Sequence, residues 1–124
     1  MLVIALLGAS TGCAQTACPA IGWINTVEVD ASAFGADVFV QFCVDAGCSA
    51  GPGEESTTSS VMGAPVQNED GVFSLSMTTP QEAMIRVYDA TGTRLQESAH
   101  DITWTHSTEP CGGPSTAAPI ILTV

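Results

Sequence analysis

Lysine is absent from this 124-residue chain, and Arg86 and Arg94 are its only fixed cations against thirteen carboxylates, a formal net charge of −11. Without a basic surface the chain cannot grip a phosphate backbone, so nucleic acid is excluded as a partner. Acidity on this scale favours solubility and resists self-association. No apolar stretch approaches the roughly 20 residues of a membrane-spanning helix. There is no Cys-x-x-Cys pair, which weakens a zinc reading of the five cysteines. No Asp-x-Asp-x-Asp run supplies the converging oxygens that calcium needs. Methionine occurs four times without a Met-x-x-Met or His-x-Met spacing, so copper finds no repeated soft-ligand motif in Met62, Met77, Met84 and the histidines. A helical period is missing throughout the chain beyond residue 13.

What is present begins with Leu2-Val3-Ile4-Ala5-Leu6-Leu7, an uncharged run followed by small residues up to Ser10-Thr11-Gly12-Cys13. Its length suits a signal-peptide core. Thr11-Gly12-Cys13 resembles the lipobox of bacterial lipoproteins, whose cysteine carries diacylglycerol after the preceding residues are removed. Ser10 departs from the aliphatic residue usual there, and the customary basic start is expected upstream of Met1. The resemblance implies a signal peptide over residues 1–12, a lipidated Cys13 with a short tether over residues 13–20, and one domain over residues 21–124. The alternatives are an ordinary secretory signal cut nearby, or a buried N-terminal strand. Cleavage before Cys13 removes no charge, so the exported remainder keeps the full −11.

Export places the cysteines in an oxidising compartment. With Cys13 assigned to lipid, Cys18, Cys43, Cys48 and Cys111 form an even set with three possible pairings. Cys43 with Cys48 is favoured, because Val44-Asp45-Ala46-Gly47 can fold back as a turn. Cys18 with Cys111 then ties the two ends of the domain.

Period-two alternation marks the strands. Trp23, Asn25, Val27 and Val29 share one face of the first, and Val38, Val40, Phe42 and Val44 share the core face of the second. Gly47 to Ser60, rich in Gly, Ser and Thr, reads as the most mobile loop. Val61 to Gln67, interrupted by Pro65, suits an edge strand. After the Asn68-Glu69-Asp70-Gly71 turn, Phe73, Leu75 and Met77 point inward. Ala83, Ile85 and Val87 oppose Met84, Arg86 and Tyr88 in the next strand, which the Asp89-Ala90-Thr91-Gly92 turn joins to Thr93–Glu97 as a hairpin. Ile102, Trp104 and His106 alternate in a further strand, with Trp23 and Trp104 expected in the core. The final strand, Ala118 to Val124, is expected between neighbours.

The wording Val87-Tyr88-Asp89-Ala90-Thr91-Gly92-Thr93-Arg94-Leu95 resembles hairpins of bacterial immunoglobulin-like and carboxypeptidase-regulatory-like β-sandwiches. From Cys18-Pro19-Ala20-Ile21-Gly22-Trp23 to Cys111-Gly112-Gly113-Pro114 the framework is similar to small secreted lipoproteins of actinobacteria. The expected fold is therefore all-β: an antiparallel β-sandwich of about seven or eight strands, immunoglobulin-like or transthyretin-like, with a small closed barrel as the alternative.

Catalytic residues are not expected. His100 and Asp101, adjacent in a strand, point to opposite faces, and two histidines six apart on one strand stand about 20 Å from one another. The chain is expected to be no enzyme and to need no cofactor. It reads as a lipid-anchored binding module on the outer face of the cytoplasmic membrane, its partners the membrane through Cys13 and a cell-surface protein. The alternative is a lipid-anchored carrier of copper, calcium or a small ligand.

Overall fold

The structure, a computed structural model, describes Cys18, residues 22–54 and residues 63–124. Its strands are β1 (Thr26–Asp30), β2 (Phe39–Val44), β3 (Gly47–Cys48), β4 (Val66–Glu69), β5 (Val72–Ser74), β6 (Glu82–Tyr88), β7 (Arg94–Asp101), β8 (Trp104–Thr105), β9 (Thr116–Ala117) and β10 (Ile120–Ile121). They form two sheets. The first runs β4-β5-β1-β9-β8 with β10 also beside β1, and the second runs β3-β2-β6-β7. The fold is an all-β sandwich, as the alternation implies.

The apolar faces meet between the sheets. Val27, Val29, Phe73, Leu75, Ile120 and Leu122 come from the first, and Val40, Phe42, Ala83, Ile85 and Val87 from the second. Phe42 and Phe73 stack across the gap with ring centroids 5.2 Å apart. Replacing either by Ala would cost about 3–5 kcal/mol, because the neighbouring strands cannot close over the cavity.

Several expectations need correction. The last strand is shorter than expected: β10 covers only Ile120–Ile121, β9 precedes it across Ala118-Pro119, and both lie parallel to β1, whereas the other pairings are antiparallel. Proline has no N–H to give a ladder. Among the described residues β9 sits between β1 and β8, while β10 pairs with β1 alone. The strand expected over residues 101–106 is also divided. β7 extends to Asp101, Ile102 is buried with its N–H on the Gln81 carbonyl at 2.8 Å, and β8 belongs to the other sheet.

Met77 does not point inward; it is 68% exposed. The alternation stops because Ser76 takes a left-handed φ of 54°, and Thr78 donates to the Leu75 carbonyl to close a turn. Trp23 is likewise outside the core, at 37% exposure. It precedes β1 and lines a surface cleft with Met77. Trp104 is half-buried and packs on the core, with its indole N–H on the Pro80 carbonyl at 2.7 Å.

The Gly47–Ser60 segment is structured at its start. Gly47–Cys48 pairs with β2, and Ser49 is buried, exchanging hydrogen bonds with the Phe42 backbone through its own N–H and its Oγ, both at 2.8 Å. The rest of that expected loop, residues 55–60, lies outside the described residues. So do Val61 and Met62, whereas β4 does form an edge, as Pro65 suggested.

Candidate functional site

Two regions bring chemistry-bearing side chains together. The first is the outer face of the second sheet. Alternation in β6 turns Ala83, Ile85 and Val87 inward and leaves Arg86 and Tyr88 on the other side. Register then sets Arg86 between Gln41 of β2 and Glu97 of β7, directly opposite both. Arg86 donates from Nε to Glu97 Oε2 at 2.7 Å, and Arg94 Nη1 donates to the same oxygen at 2.9 Å. Tyr88 donates its hydroxyl to Gln41 Oε1 at 2.9 Å, and Gln41 Nε2 donates to the Ser49 carbonyl at 3.1 Å. The hydrogen bond from Arg86 holds the Glu97 carboxyl below its usual range, and its reciprocal raises the Arg86 guanidinium. Both cations of the chain thus share one carboxylate here. Hydrogen bonds to Glu97 and Gln41 hold the Arg86, Arg94 and Tyr88 side chains in fixed positions on this face. As solvent-screened surface pairs, the two ion pairs add little to stability.

The second region is the end of the sandwich where β6 begins and β7 ends. A cleft of ≈ 510 Å³ is lined by Glu82, Asp101, Trp104 and His106, and an adjoining one of ≈ 240 Å³ by Trp23, Asn25, Met77 and Ser115. Thr79 and His106 border both. Glu82 and Asp101 stand directly opposite one another, a pairing of like charges that costs stability. A third cleft, ≈ 710 Å³, continues past Gln81 along the β2–β3 turn at Asp45 and Ala46. Asn25 builds this end. Its Nδ2 donates to the Thr78 carbonyl at 3.0 Å and its Oδ1 accepts from Ser115 N–H at 2.8 Å.

The disulfides are those expected. Cys18 is bonded to Cys111, with Cα atoms 5.1 Å apart, and Cys43 to Cys48, at 4.0 Å. Cys43 and Cys48 are register partners beside the hydrogen-bonded pair Phe42 and Ser49. They therefore occupy a non-hydrogen-bonded position, where opposed side chains are closest. Cys13, expected to carry lipid, lies outside the described residues.

The histidines are separated between the sheets. His100 lies opposite Ala83, with Nε2 at 2.6 Å from Ser98 Oγ, while His106 Nδ1 is 2.9 Å from Ser115 Oγ. Asp101 lies opposite Glu82, so it faces away from His100. Met77 shares a cleft with His106, whereas Met84 lies on the second sheet. Among the described residues no group of three or more His, Cys, Asp or Glu is placed to hold a metal ion.

The serine-elbow pattern Gly-x-Ser-x-Gly occurs at Gly8–Gly12, outside the described residues, and at Gly47–Gly51. A nucleophile elbow presents an exposed Oγ between a strand and a helix. Ser49 is instead buried, with its Oγ accepting from the Phe42 N–H. The outer-face network was also missed, since only strand register brings Gln41 and Glu97 to Arg86. Compared with known protein families, curated proteins and solved structures, the chain matches none.

Proposed function

We propose that the chain is a non-enzymatic binding module, held on the outer face of the cytoplasmic membrane by lipid on Cys13. Its sandwich is of immunoglobulin-like or transthyretin-like type. The observation that carries the reading is the pairing of the cysteines. Two disulfides use Cys18, Cys43, Cys48 and Cys111, which leaves Cys13 as the odd cysteine, directly after an apolar, uncharged run. Disulfides of this kind persist in oxidising compartments. A diacylglycerol group supplies the two chains that stable anchoring requires.

The outer face of the second sheet offers the surface for a protein partner. Arg and Tyr are the residue types that carry binding energy at interfaces, and Arg86 and Tyr88 are already oriented by their neighbours, so little side-chain entropy is lost on association.

The anchor is tested by expressing the wild-type chain and Cys13→Ala and separating membrane, periplasmic or cell-wall, and medium fractions. Wild type is expected in the membrane fraction with a diacylglycerol adduct on Cys13 by mass spectrometry, and Cys13→Ala as released protein or uncleaved precursor. A Cys13→Ala protein found cleaved and membrane-bound would overturn the reading.

A further inference from the structure

Where the chain enters the domain, two exposed apolar side chains come together, Trp23 at 37% and Met77 at 68% exposure. Trp23 and Met77 line one cleft, and Met77 lies against Gly22, where an added Cβ would collide with its sulfur. A Cβ on Gly112 would stand 3.4 Å from Trp23 Nε1, so the indole lies against the residue after Cys111. Cys111 in turn holds Cys18. The apolar corner and the incoming chain are therefore at the same place.

We propose that this corner rests on the lipid surface, with Trp23 at the headgroup level and Met77 beside it. The inference rests on the lipidation of Cys13. Cys18 stands five positions after Cys13, and an extended chain of that length spans at most about 18 Å. A disulfide at Cys18 therefore keeps the corner within a short tether of the bilayer, and Trp23 is the residue type that partitions into the interface. Burying one indole and one thioether adds to an anchor that is already sufficient, so the effect is on orientation. The sandwich stands on this end, with the outer face of the second sheet left open at the side. Glu82 and Asp101, across the cleft on that second sheet, are repelled by anionic headgroups, so the seat suits zwitterionic lipid and leans toward the first sheet.

The test uses the mature protein isolated from membranes, reconstituted in phosphatidylcholine vesicles with or without brominated acyl chains, and a Trp23→Phe variant prepared in the same way. Trp23 is exposed, so its replacement leaves the fold intact, and Trp104 remains as the internal reference. Wild-type emission is expected to be blue-shifted and quenched by the brominated lipid, and the quenching to be lost in Trp23→Phe. Equal quenching in the two proteins would overturn the seat while leaving the anchor standing. Failure to recover the protein from membranes would overturn both. A blue shift that appears without vesicles and grows with protein concentration would assign the corner to a second copy of the chain, and so would also overturn the proposal.

Discussion

Asn25 is buried, and four hydrogen bonds converge on it. Its backbone N–H donates to the Ser76 carbonyl at 2.7 Å and its carbonyl accepts from Leu75 at 2.8 Å, while the side chain binds Thr78 and Ser115. One residue therefore joins the start of β1 to the turn after β5 and to the approach of β9. Asn25→Ala removes both side-chain bonds and leaves the Ser115 N–H and the Thr78 carbonyl short of partners. A loss of about 2 kcal/mol is expected, since each of the two hydrogen bonds contributes roughly 1 kcal/mol net. Urea denaturation checks it: the midpoint should fall with the slope unchanged, and a midpoint equal to wild type would refute the role. The alternation in the sequence put Asn25 on the same side as Val27 and Val29, which is where it lies. Its partners could not be read there, because they come from chain 53 and 90 residues away.

At the level of elements, the β6–β7 hairpin shows how much local chemistry decides. Asp89 Oδ1 accepts from the N–H groups of Thr91 and Thr93, each at 2.9 Å, and from Thr91 Oγ1 at 2.6 Å, while Gly92 takes a φ of 86°. Glycine adopts that conformation without the clash a Cβ would bring. Those hydrogen bonds hold the Asp89 carboxyl below its usual range, Thr91 contributing most, and Asp30 is lowered in the same way by Ser32. A carboxyl whose folded pKa is depressed contributes stability that is fully present above its unfolded value, near 3.9, and lost as pH falls through the folded value. Melting temperature is therefore expected to decline as pH falls from about 5 to about 2. Asp89→Asn keeps an acceptor at the turn but no longer titrates, so its decline should be shallower, with Asp30 and Glu97 still titrating. Parallel profiles for the two proteins would refute this assignment.

The same hairpin was legible in the sequence, as were the inward face of β2 and the two-sided alternation of β6, because period-two patterning and turn residues act over a few positions. Elements whose course is set by distant chain were not. The left-handed Ser76 ends the alternation before Met77, and Ile102 leaves β7 to hydrogen-bond Gln81 before the chain joins the other sheet. Pattern continues past both points while the backbone does not. The outer-face network belongs with these, since Arg86 meets Gln41 across 45 residues and Glu97 across 11.

For the whole molecule, the two disulfides differ in what they constrain. Cys18–Cys111 spans 93 residues of sequence and Cys43–Cys48 spans 5. In the chain-entropy description the first limits nearly the entire unfolded domain and is worth about 4–5 kcal/mol, against about 2 kcal/mol for the second. The difference is large beside a total stability of roughly 5–15 kcal/mol for a domain. The sheets reinforce the asymmetry. Cys43 and Cys48 are already held opposite one another by the β2–β3 ladder, whereas Cys18 precedes the first strand and is tied to a loop between β8 and β9. Thermal unfolding of the paired variants Cys18→Ala/Cys111→Ala and Cys43→Ala/Cys48→Ala should therefore show the larger drop in midpoint for the first. Because Trp23 lies against Gly112, that variant should also alter Trp23 emission, while the second leaves it unchanged. An equal or larger loss in the Cys43→Ala/Cys48→Ala protein would mean that the short bridge holds native geometry which the ladder does not. In that case the end-to-end bond would not be what keeps this small core closed.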